Sequence, residues 1–524
     1  MFIFNIFHKK HLPSPTHGLA AVEKHFLKIN FGRQTFGNGF FNNFAVEFVE
    51  NNLFYISVFV IKSYYQIIVF VGIVMKRKIY NELVRWKEES RGTTAVMLEG
   101  ARRVGKSYIV EEFAKNEYRS YILVDFNHIS NEEMEIFEKY LNRTDDFLKM
   151  LQLHHNVTLH ERESVIIFDE VQQYPKARAA IKYLVAHGKY DYIETGSLVR
   201  IKKNVKNIVI PSEEKRMVLN PMDFEEFLWA KGEEMLPPYI MECMHDGKPL
   251  GPIHRKAMEE LRLYMLVGGM PQVVRKWAET GDFRQMEVEK QSILNLYEND
   301  IHQYATGAES KAVAIFEDLP GQLQRHESYF HLSDLGVNAR YREYESSFFW
   351  LRDASIVNIC WNTTEPSIGL KLNTDRTRLK CYMGDTGLLI SMAFDENGHV
   401  PNEIYEKILL GKLEGNLGMI VENMVAQMLK ANGHKLYFYS TPESCEAESR
   451  MEIDFLIAKN KITNRHNISP IEVKSGSNRF SIKSLQKFQK KYSEQLHTAY
   501  VLYGNDYKTE NGVVYLPLYM ACCL

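Results

Sequence analysis

This chain of 524 residues lacks several common signatures, and each absence removes a class of function. Its six cysteines, at 243, 360, 381, 445, 522 and 523, form no C-x-x-C pair. That usage excludes a zinc ribbon or a disulfide framework and fits reduced thiols in a cytoplasmic protein. No H-E-x-x-H and no G-x-S-x-G is present, so neither a zincin helix nor a nucleophile elbow is offered. There is no internal repeat, and the last residues, Ala521-Cys522-Cys523-Leu524, miss the prenylation pattern by one position. A formal net charge of −2 gives no global mark of a nucleic-acid binder, so any such role must rest on local patches. With 45% hydrophobic and 25% charged residues, the composition is that of a globular chain of about three or four domains.

What is present begins at Gly100-Ala101-Arg102-Arg103-Val104-Gly105-Lys106-Ser107, a G-x-x-x-x-G-K-S that follows the apolar run Ala95–Leu98. Glycines at both ends let the loop from Gly100 through Arg102, Arg103 and Val104 to Gly105 curl its N–H groups inward on phosphate oxygens. Lys106 supplies a point charge for the β- and γ-phosphates, and Ser107 offers a hydroxyl to Mg²⁺. Tyr108 to Asn116 reads as a helix whose positive end faces the same phosphates. A chance match in a glycine loop is the bland alternative, and the order strand, loop, helix argues against it.

Ser164-Val165-Ile166-Ile167-Phe168-Asp169-Glu170 has no polar alternation, the pattern of a central parallel strand ending in two carboxylates. Asp169 is placed to hold the Mg²⁺ shell, and Glu170 to orient or deprotonate the attacking water. A further strand ends in Glu194-Thr195-Gly196-Ser197, where Thr195 or Ser197 can reach the γ-phosphate or the water, although Thr-Gly-Ser is also an ordinary turn. Strands at 93–98, 120–126, 164–169, 190–195 and 215–220 alternate with helical stretches near 108–116, 132–151 and 176–187, which predicts a doubly wound parallel sheet. Asp223 and Glu226 form a capping-box pattern after Pro221.

Residues 1–74 differ from the rest. They are rich in Phe and Asn, and the run from Leu53 to Val74 carries only Lys62 as a charge. Read literally, that run is long enough for a transmembrane anchor. Lys62 and Gln66 near its middle speak against one. The favoured expectation is an upstream extension translated by mistake, with the natural start at Met75 and the Gly72 codon lying where a ribosome-binding site can sit.

Residues 252–303 read as helices interrupted at Gly268-Gly269-Met270-Pro271. Phe330 to Val337, a helix from Ala339 to Leu351 and a hairpin-like stretch to Met383 outline a helix-turn-helix with a wing. Arg340, Arg342 and Arg352 would meet phosphates if it binds DNA, and a plain packing module is the alternative. Near the end, a helix over 413–431 puts Glu422 on an apolar face. Asp454 lies on one strand, and Glu472 and Lys474 lie two apart on the next. Asp454 and Glu472 can share one Mg²⁺, and Lys474 can help a bound water lose its proton. A surface Glu472–Lys474 salt bridge is the alternative. Lys483, Lys487, Lys490 and Lys491 form a basic helix face, a phosphate-tracking surface or a merely solvated one.

Together, G-A-R-R-V-G-K-S, I-I-F-D-E-V-Q, E-T-G-S-L, N-P-M-D-F-E-E-F-L, Y-M-L-V-G-G-M-P-Q, Y-E-N-D-I, Y-M-G-D-T-G-L-L and E-I-D-F-L-I…P-I-E-V-K-S-G resemble the AAA-like ATPases of the archaeal-ATPase clade. Those proteins join the ATPase to a C-terminal domain of unknown function with a restriction-endonuclease-like core. The likeness covers about residues 75–510. It implies an extension over 1–74, an AAA-like P-loop domain over 75–235, a helical region over 236–305, a winged-helix-like domain over 306–395 and a PD-(D/E)xK nuclease-like domain over 396–524. It also implies ATP and Mg²⁺ as cofactors, a nuclease-like site of Glu422, Asp454, Glu472 and Lys474, and DNA or RNA as a partner. The family places Gly-Arg before its fifth strand, and here Lys215-Arg216 stands there. Arg216 is then the candidate to reach a phosphate, in a neighbouring subunit of a homo-oligomer. The competing expectations are an ATP-dependent regulatory switch without nuclease activity and, if residues 1–74 are retained, a membrane-anchored ATPase.

Overall fold

The computed structural model describes residues 75–197 and 211–524, apart from 306, 326–328, 337–338, 368, 396–399, 414–416, 442–445, 447–448, 459–466 and 477–479. Of residues 1–74 it describes the backbone of five strands. These are β1 (Lys28–Phe31), β2 (Gln34–Phe36), β3 (Gly39–Glu47), β4 (Ser57–Ser63) and β5 (Gln66–Val71). They pair antiparallel in the order β1-β3-β4-β5, with β2 on β3. The apolar run that could be taken for a membrane helix therefore contains two paired strands, as its β-branched and aromatic residues favour. Among the described residues no helix is long and apolar enough to cross a membrane. The Gly72 position and Cys445 lie outside the described residues.

The second sheet holds β6 (Ala95–Gly100), β7 (Ser120–Asp125), β8 (Ser164–Asp169), β9 (Asp191–Gly196) and β10 (Glu214–Leu219). All pairs are parallel, in the order β10-β6-β9-β8-β7. The central strands β6, β8 and β9 are buried at every position. β8 and the first four residues of β6 read as apolar runs for that reason, whereas β9 buries Asp191, Glu194 and Thr195. Side chains alternate between the two faces. Val96, Leu98, Ile167 and Ile193 meet α1 (Ile79–Ser90) and α2 (Lys106–Glu117). Met97, Ile166 and Phe168 meet α3 (Asn131–Tyr140), α4 (Thr144–His155) and α5 (Pro175–His187). The one helix expected over 132–151 is two. The chain breaks at Arg143 and folds back, so that Phe137 meets Phe147 edge to face at 5.0 Å.

The chain continues through α6 (Phe224–Ala230), α7 (Leu236–Asp246), α8 (His254–Val267), α9 (Pro271–Thr280), α10 (Phe283–Tyr304), α11 (Glu309–Gln324) and α12 (Tyr341–Asp353). Asp223 and Glu226 form the expected capping box at α6. Next come β11 (Val357–Thr363), β12 (Thr374–Met383), α13 (Thr386–Phe394), α14 (Asn402–Leu409) and α15 (Leu417–Ala431). The last elements are β13 (Tyr437–Ser440), β14 (Glu452–Ala458), β15 (Ile468–Val473), α16 (Lys483–Lys491), β16 (Ala499–Tyr503), β17 (Lys508–Glu510) and β18 (Val513–Pro517).

Strands β11 to β18 form one mixed sheet in the order β12-β11-β13-β14-β15-β16-β18-β17. The hairpin β11–β12, read from sequence as a wing, is thus continuous with the C-terminal sheet through the parallel pair Trp361↔Tyr437. α15 covers one face, with Met424 and Met428 in the same core as Phe455 and Ile471. α16 covers the other, with Leu485 and Phe488 against Ile453, Leu456 and Val501.

Candidate functional site

The G-x-x-x-x-G-K-S segment is the turn from β6 into α2. Arg103 (φ 65°) and Gly105 (φ 92°) are both left-handed, which turns successive N–H groups into one concavity. A Cβ on Gly100 would lie 2.3 Å from the Leu219 carbonyl oxygen, so only glycine lets β10 close against the loop. Val104 is buried beneath it. Lys106, itself buried, donates to the carbonyls of Gly100 and Ala101 at 3.2 and 3.0 Å. Ser107 Oγ donates to Asp169 Oδ1 at 2.9 Å, and Thr195 Oγ1 donates to the same oxygen. The Glu170 N–H donates to Thr195 Oγ1 at 3.1 Å, and Glu170 (φ 56°) takes a hydrogen bond from Gln172. Burial holds the Asp169 carboxyl above its usual range despite those two hydroxyl donors. A hydroxyl and a carboxylate this close are a hard-oxygen donor pair suited to Mg²⁺, whose charge would reverse that shift.

Two other expected nucleotide contacts point elsewhere. Arg102 Nη1 donates to Asp300 Oδ1 of α10 at 2.8 Å, and the Tyr297 hydroxyl donates to the Arg102 carbonyl at 3.3 Å. Together with Ser197, these residues line a small cavity closed by Trp350 and Ile356. Y-E-N-D-I, a motif without an evident role in the sequence, is thereby the segment that docks on the loop. Arg216 lies on the edge strand β10, half-exposed and 4.0 Å from both Glu99 and Glu214.

In the C-terminal sheet, two steps along β13 are matched by three along β14, between the pairs Tyr437↔Leu456 and Tyr439↔Ile453. This bulge lies at Asp454 and Phe455, and bulges re-aim side chains. Asp454 Oδ2 accepts from the Val473 N–H at 2.8 Å, and Oδ1 lies 3.8 Å from Lys380 Nζ. Lys380 also reaches Glu422 at 2.9 Å and Glu452 at 3.2 Å. The Tyr382 hydroxyl donates to Glu422 at 2.5 Å. Burial and the neighbouring Glu422 push the Asp454 carboxyl up to about 7. Glu472 pairs with Lys474 at 3.1 Å and accepts from the Leu485 N–H at 3.1 Å, and burial raises its carboxyl as well. The four expected residues thus fall into two pairs, Glu422 with Asp454 and Glu472 with Lys474. Glu452 acts electrostatically on both Asp454 and Glu472.

Residues 92–228 match a family model described as an AAA domain. The chain carries an AAA P-loop ATPase domain. Residues 258–397 and 417–520 match two models, each described as a domain of unknown function, DUF8612 and DUF4143. A search of curated proteins gave no match. Among solved structures, the chain is similar to the Walker-type ATPase paby2304 of Pyrococcus abyssi, with 16% identity over 61% of this chain and 96% of that one and a TM-score of 0.38. It is also similar to the tetratricopeptide-sensor signal transduction ATPase PH0952 of Pyrococcus horikoshii, at 12% identity, 68% and 48% coverage and a TM-score of 0.25. A third likeness is Cdc6p of Pyrobaculum aerophilum, at 12% identity, 65% and 97% coverage and a TM-score of 0.20. These scores are low, and the functional reading rests on this chain's own residues.

Around the AAA domain, two glycine-bearing motifs meet the segment of Met222 at one buried junction. A Cβ on Gly269 would lie 2.1 Å from the Met222 carbonyl oxygen, and one on Gly387 would lie 2.5 Å from that of Val267. Asp385 accepts from the N–H groups of Gly269 at 2.5 Å and Leu388 at 3.0 Å. Gln427 of α15 accepts from Thr386 and donates to Tyr264 at 3.0 Å. Pro271, two residues beyond Gly269, stands against Gly105 of the P-loop. The loop, the helical region and the helix carrying Glu422 are therefore packed as a continuous series.

Sequence reasoning missed Lys380, Tyr382, Glu452 and Asp300, which distant segments deliver to these sites. It also missed Glu194, fully buried on the α5 face of β9 beside the bidentate pair Arg178–Glu214 (2.9 and 2.7 Å). Burial pushes the Glu194 carboxyl far up, and the nearby Glu214 adds to the shift. Among the described residues, Glu133, His154 and His155 bring three ligand atoms within 4.8 Å of one another. The adjacent histidines were the only signal for that group in the sequence.

Proposed function

We propose that this chain is a Mg²⁺-dependent ATPase whose nucleotide cycle is transmitted to a C-terminal carboxylate cleft that acts on nucleic acid. The observation that carries the first half is the Ser107–Asp169 pair at 2.9 Å beneath a left-handed glycine loop. On this reading Gly100 to Gly105 cradle phosphates, Lys106 leaves the loop carbonyls for the β- and γ-phosphates, and Ser107 and Asp169 hold Mg²⁺. Glu170 orients the attacking water, with Thr195 fixing the backbone beneath it. ATP supplies the leaving group, and the protein supplies position and charge.

Support for the second half is the unbroken packing from Gly105 through Pro271, Gly269 and Asp385 to Gln427, five residues from Glu422. α11, α12 and the β11–β12 hairpin follow the order of a winged helix, and Arg340 at the start of α12 and Arg342 in its first turn are exposed. Arg216, on an open sheet edge, would meet a phosphate only in a neighbouring copy. A second reading, an ATP-driven switch whose C-terminal fold is a binding module, is favoured by Lys380 standing among the carboxylates.

The test is to incubate purified protein with labelled DNA and RNA, with and without ATP and Mg²⁺. Lys106→Ala should abolish ATP binding. Glu170→Gln should keep binding and lose roughly 10²–10⁴-fold in turnover, the usual cost of a missing general base. Wild-type turnover in Glu170→Gln would remove that role. Neither cleavage nor ATP-dependent binding of nucleic acid would leave the switch.

A further inference from the structure

The lysine expected to serve the C-terminal site is Lys474, yet the ammonium at its centre is another. Lys474 pairs with Glu472 alone among the carboxylates and is a quarter exposed. Lys380 is 7% exposed, and its Nζ lies 2.9, 3.2 and 3.8 Å from Glu422, Glu452 and Asp454. Three carboxylates from a helix and a bulged strand thus converge on one point charge. An ammonium is compact and has three donors, so it can answer three acceptors at once. That is the electrostatic place of a hard cation, which takes oxygen ligands of this kind. The arrangement is held from several sides. Tyr382, on the same strand and the same side as Lys380, fixes Glu422 by its hydroxyl. The Val473 N–H fixes Asp454, and the bulge turns Asp454 toward the group. Lys380 itself lies 5.5 Å from the ring centre of Phe438.

We infer that Lys380 is the resident cation of this cleft, and that a hard metal ion binds Glu422 and Asp454 only when Lys380 gives up its place. An ion on those two carboxylates would stand within a few ångströms of Nζ. Two cations at that range in a buried site repel strongly, so the two occupants exclude one another. This deepens the functional reading and borrows from it only that the cleft takes a cation.

The test uses the full chain without nucleotide, with Tb³⁺ standing in for Mg²⁺. Tyr382 hydrogen-bonds a carboxylate of the cleft, so its ring would sensitise emission from an ion held there. Wild type should show no saturable, Tyr382-dependent emission. Lys380→Met should show one saturable site, at least about ten-fold tighter than any in wild type, as removal of a cation a few ångströms away requires. Excess Mg²⁺ should displace it, Tyr382→Phe should remove the emission, and Asp454→Asn should remove the binding. Removing Lys380 alone strands three carboxylates and can unfold the domain. Lys380→Met with Glu452→Gln restores the balance of charge and should show the same gain.

A saturable Tyr382-dependent site in wild type, within about two-fold of the variants, would overturn the inference. So would folded variants that bind no ion, or that bind one independently of Asp454. The readout is ion binding. A protein that gains the site yet cleaves nothing fails the nuclease reading and leaves the place of Lys380 intact.

Discussion

Gly269 is the residue on which the buried junction depends most sharply, and Gly269→Ala gives the most direct test of it. A Cβ there would lie 2.1 Å from the carbonyl oxygen, 2.8 Å from the nitrogen and 2.9 Å from the carbonyl carbon of Met222. All three atoms are backbone, so no side chain can swing aside, and the two segments must part by more than about 1 Å to restore ordinary contact. Parting them strains the Met222 N–H···O=C Gly269 bond at 2.7 Å and the Gly269 N–H to Asp385 carboxylate bond at 2.5 Å. Overpacking of this kind costs about 1–3 kcal/mol. A buried neutral hydrogen bond adds about 1 kcal/mol, and one to a carboxylate about 1.5–3 kcal/mol. The sum, roughly 3.5–7 kcal/mol, is a large part of the ~5–15 kcal/mol that holds a domain together. Scanning calorimetry of the full chain should show the affected transition fall by at least about 6 °C. ATP turnover should fall with it, because the next turn of chain carries Pro271 against the P-loop. Gly476→Ala, where a Cβ meets nothing within 4 Å, is the control and should melt as wild type. If Gly269→Ala also melts within about 2 °C of wild type, the junction does not bear on stability as its geometry requires.

Two further outcomes follow from the same structure. Burial raises the folded-state Asp454 carboxyl to about 7, so the folded protein keeps a proton that the unfolded chain releases near its ordinary, lower range. Stability from this group therefore falls as pH rises from roughly 4 to 7. The melting temperature of Asp454→Asn relative to wild type should climb over that window, and a flat difference would refute the assignment. Asp300 holds the side chain of Arg102, a residue of the nucleotide loop, by a hydrogen bond. Asp300→Asn should tighten ATP binding by up to about 5-fold, matching the ~1 kcal/mol of a partly exposed pair. Adding Arg102→Ala should cancel the gain, and an unchanged affinity in the single variant would show that Arg102 does not turn to phosphate.

The sequence by itself determined whatever depends on neighbours along the chain. The P-loop was legible because glycine spacing, a lysine and a hydroxyl act within one turn of backbone. Strand β8 and the apolar start of β6 were legible because a strand covered on both faces is built mainly of apolar residues. Asp169 was placed by standing at the end of such a strand. The alternation of β15 paired Glu472 with Lys474, and they do meet. Tertiary structure decided the rest. Nothing near Lys380 in the chain marks it as a partner of Asp454. The parallel pairing of β11 with β13 carries its hairpin into the C-terminal sheet and delivers the ammonium. The bulge that turns Asp454 toward it is a register shift between two strands, which neither strand records alone. Asp300 meets Arg102, and Gly269 meets Met222, across stretches of chain whose local patterns say only helix or turn. Local propensity and periodicity set which face of an element is buried. The particular charge or backbone atom that arrives there is set by long-range packing, because opposing a buried charge and excluding a Cβ are properties of two segments at once.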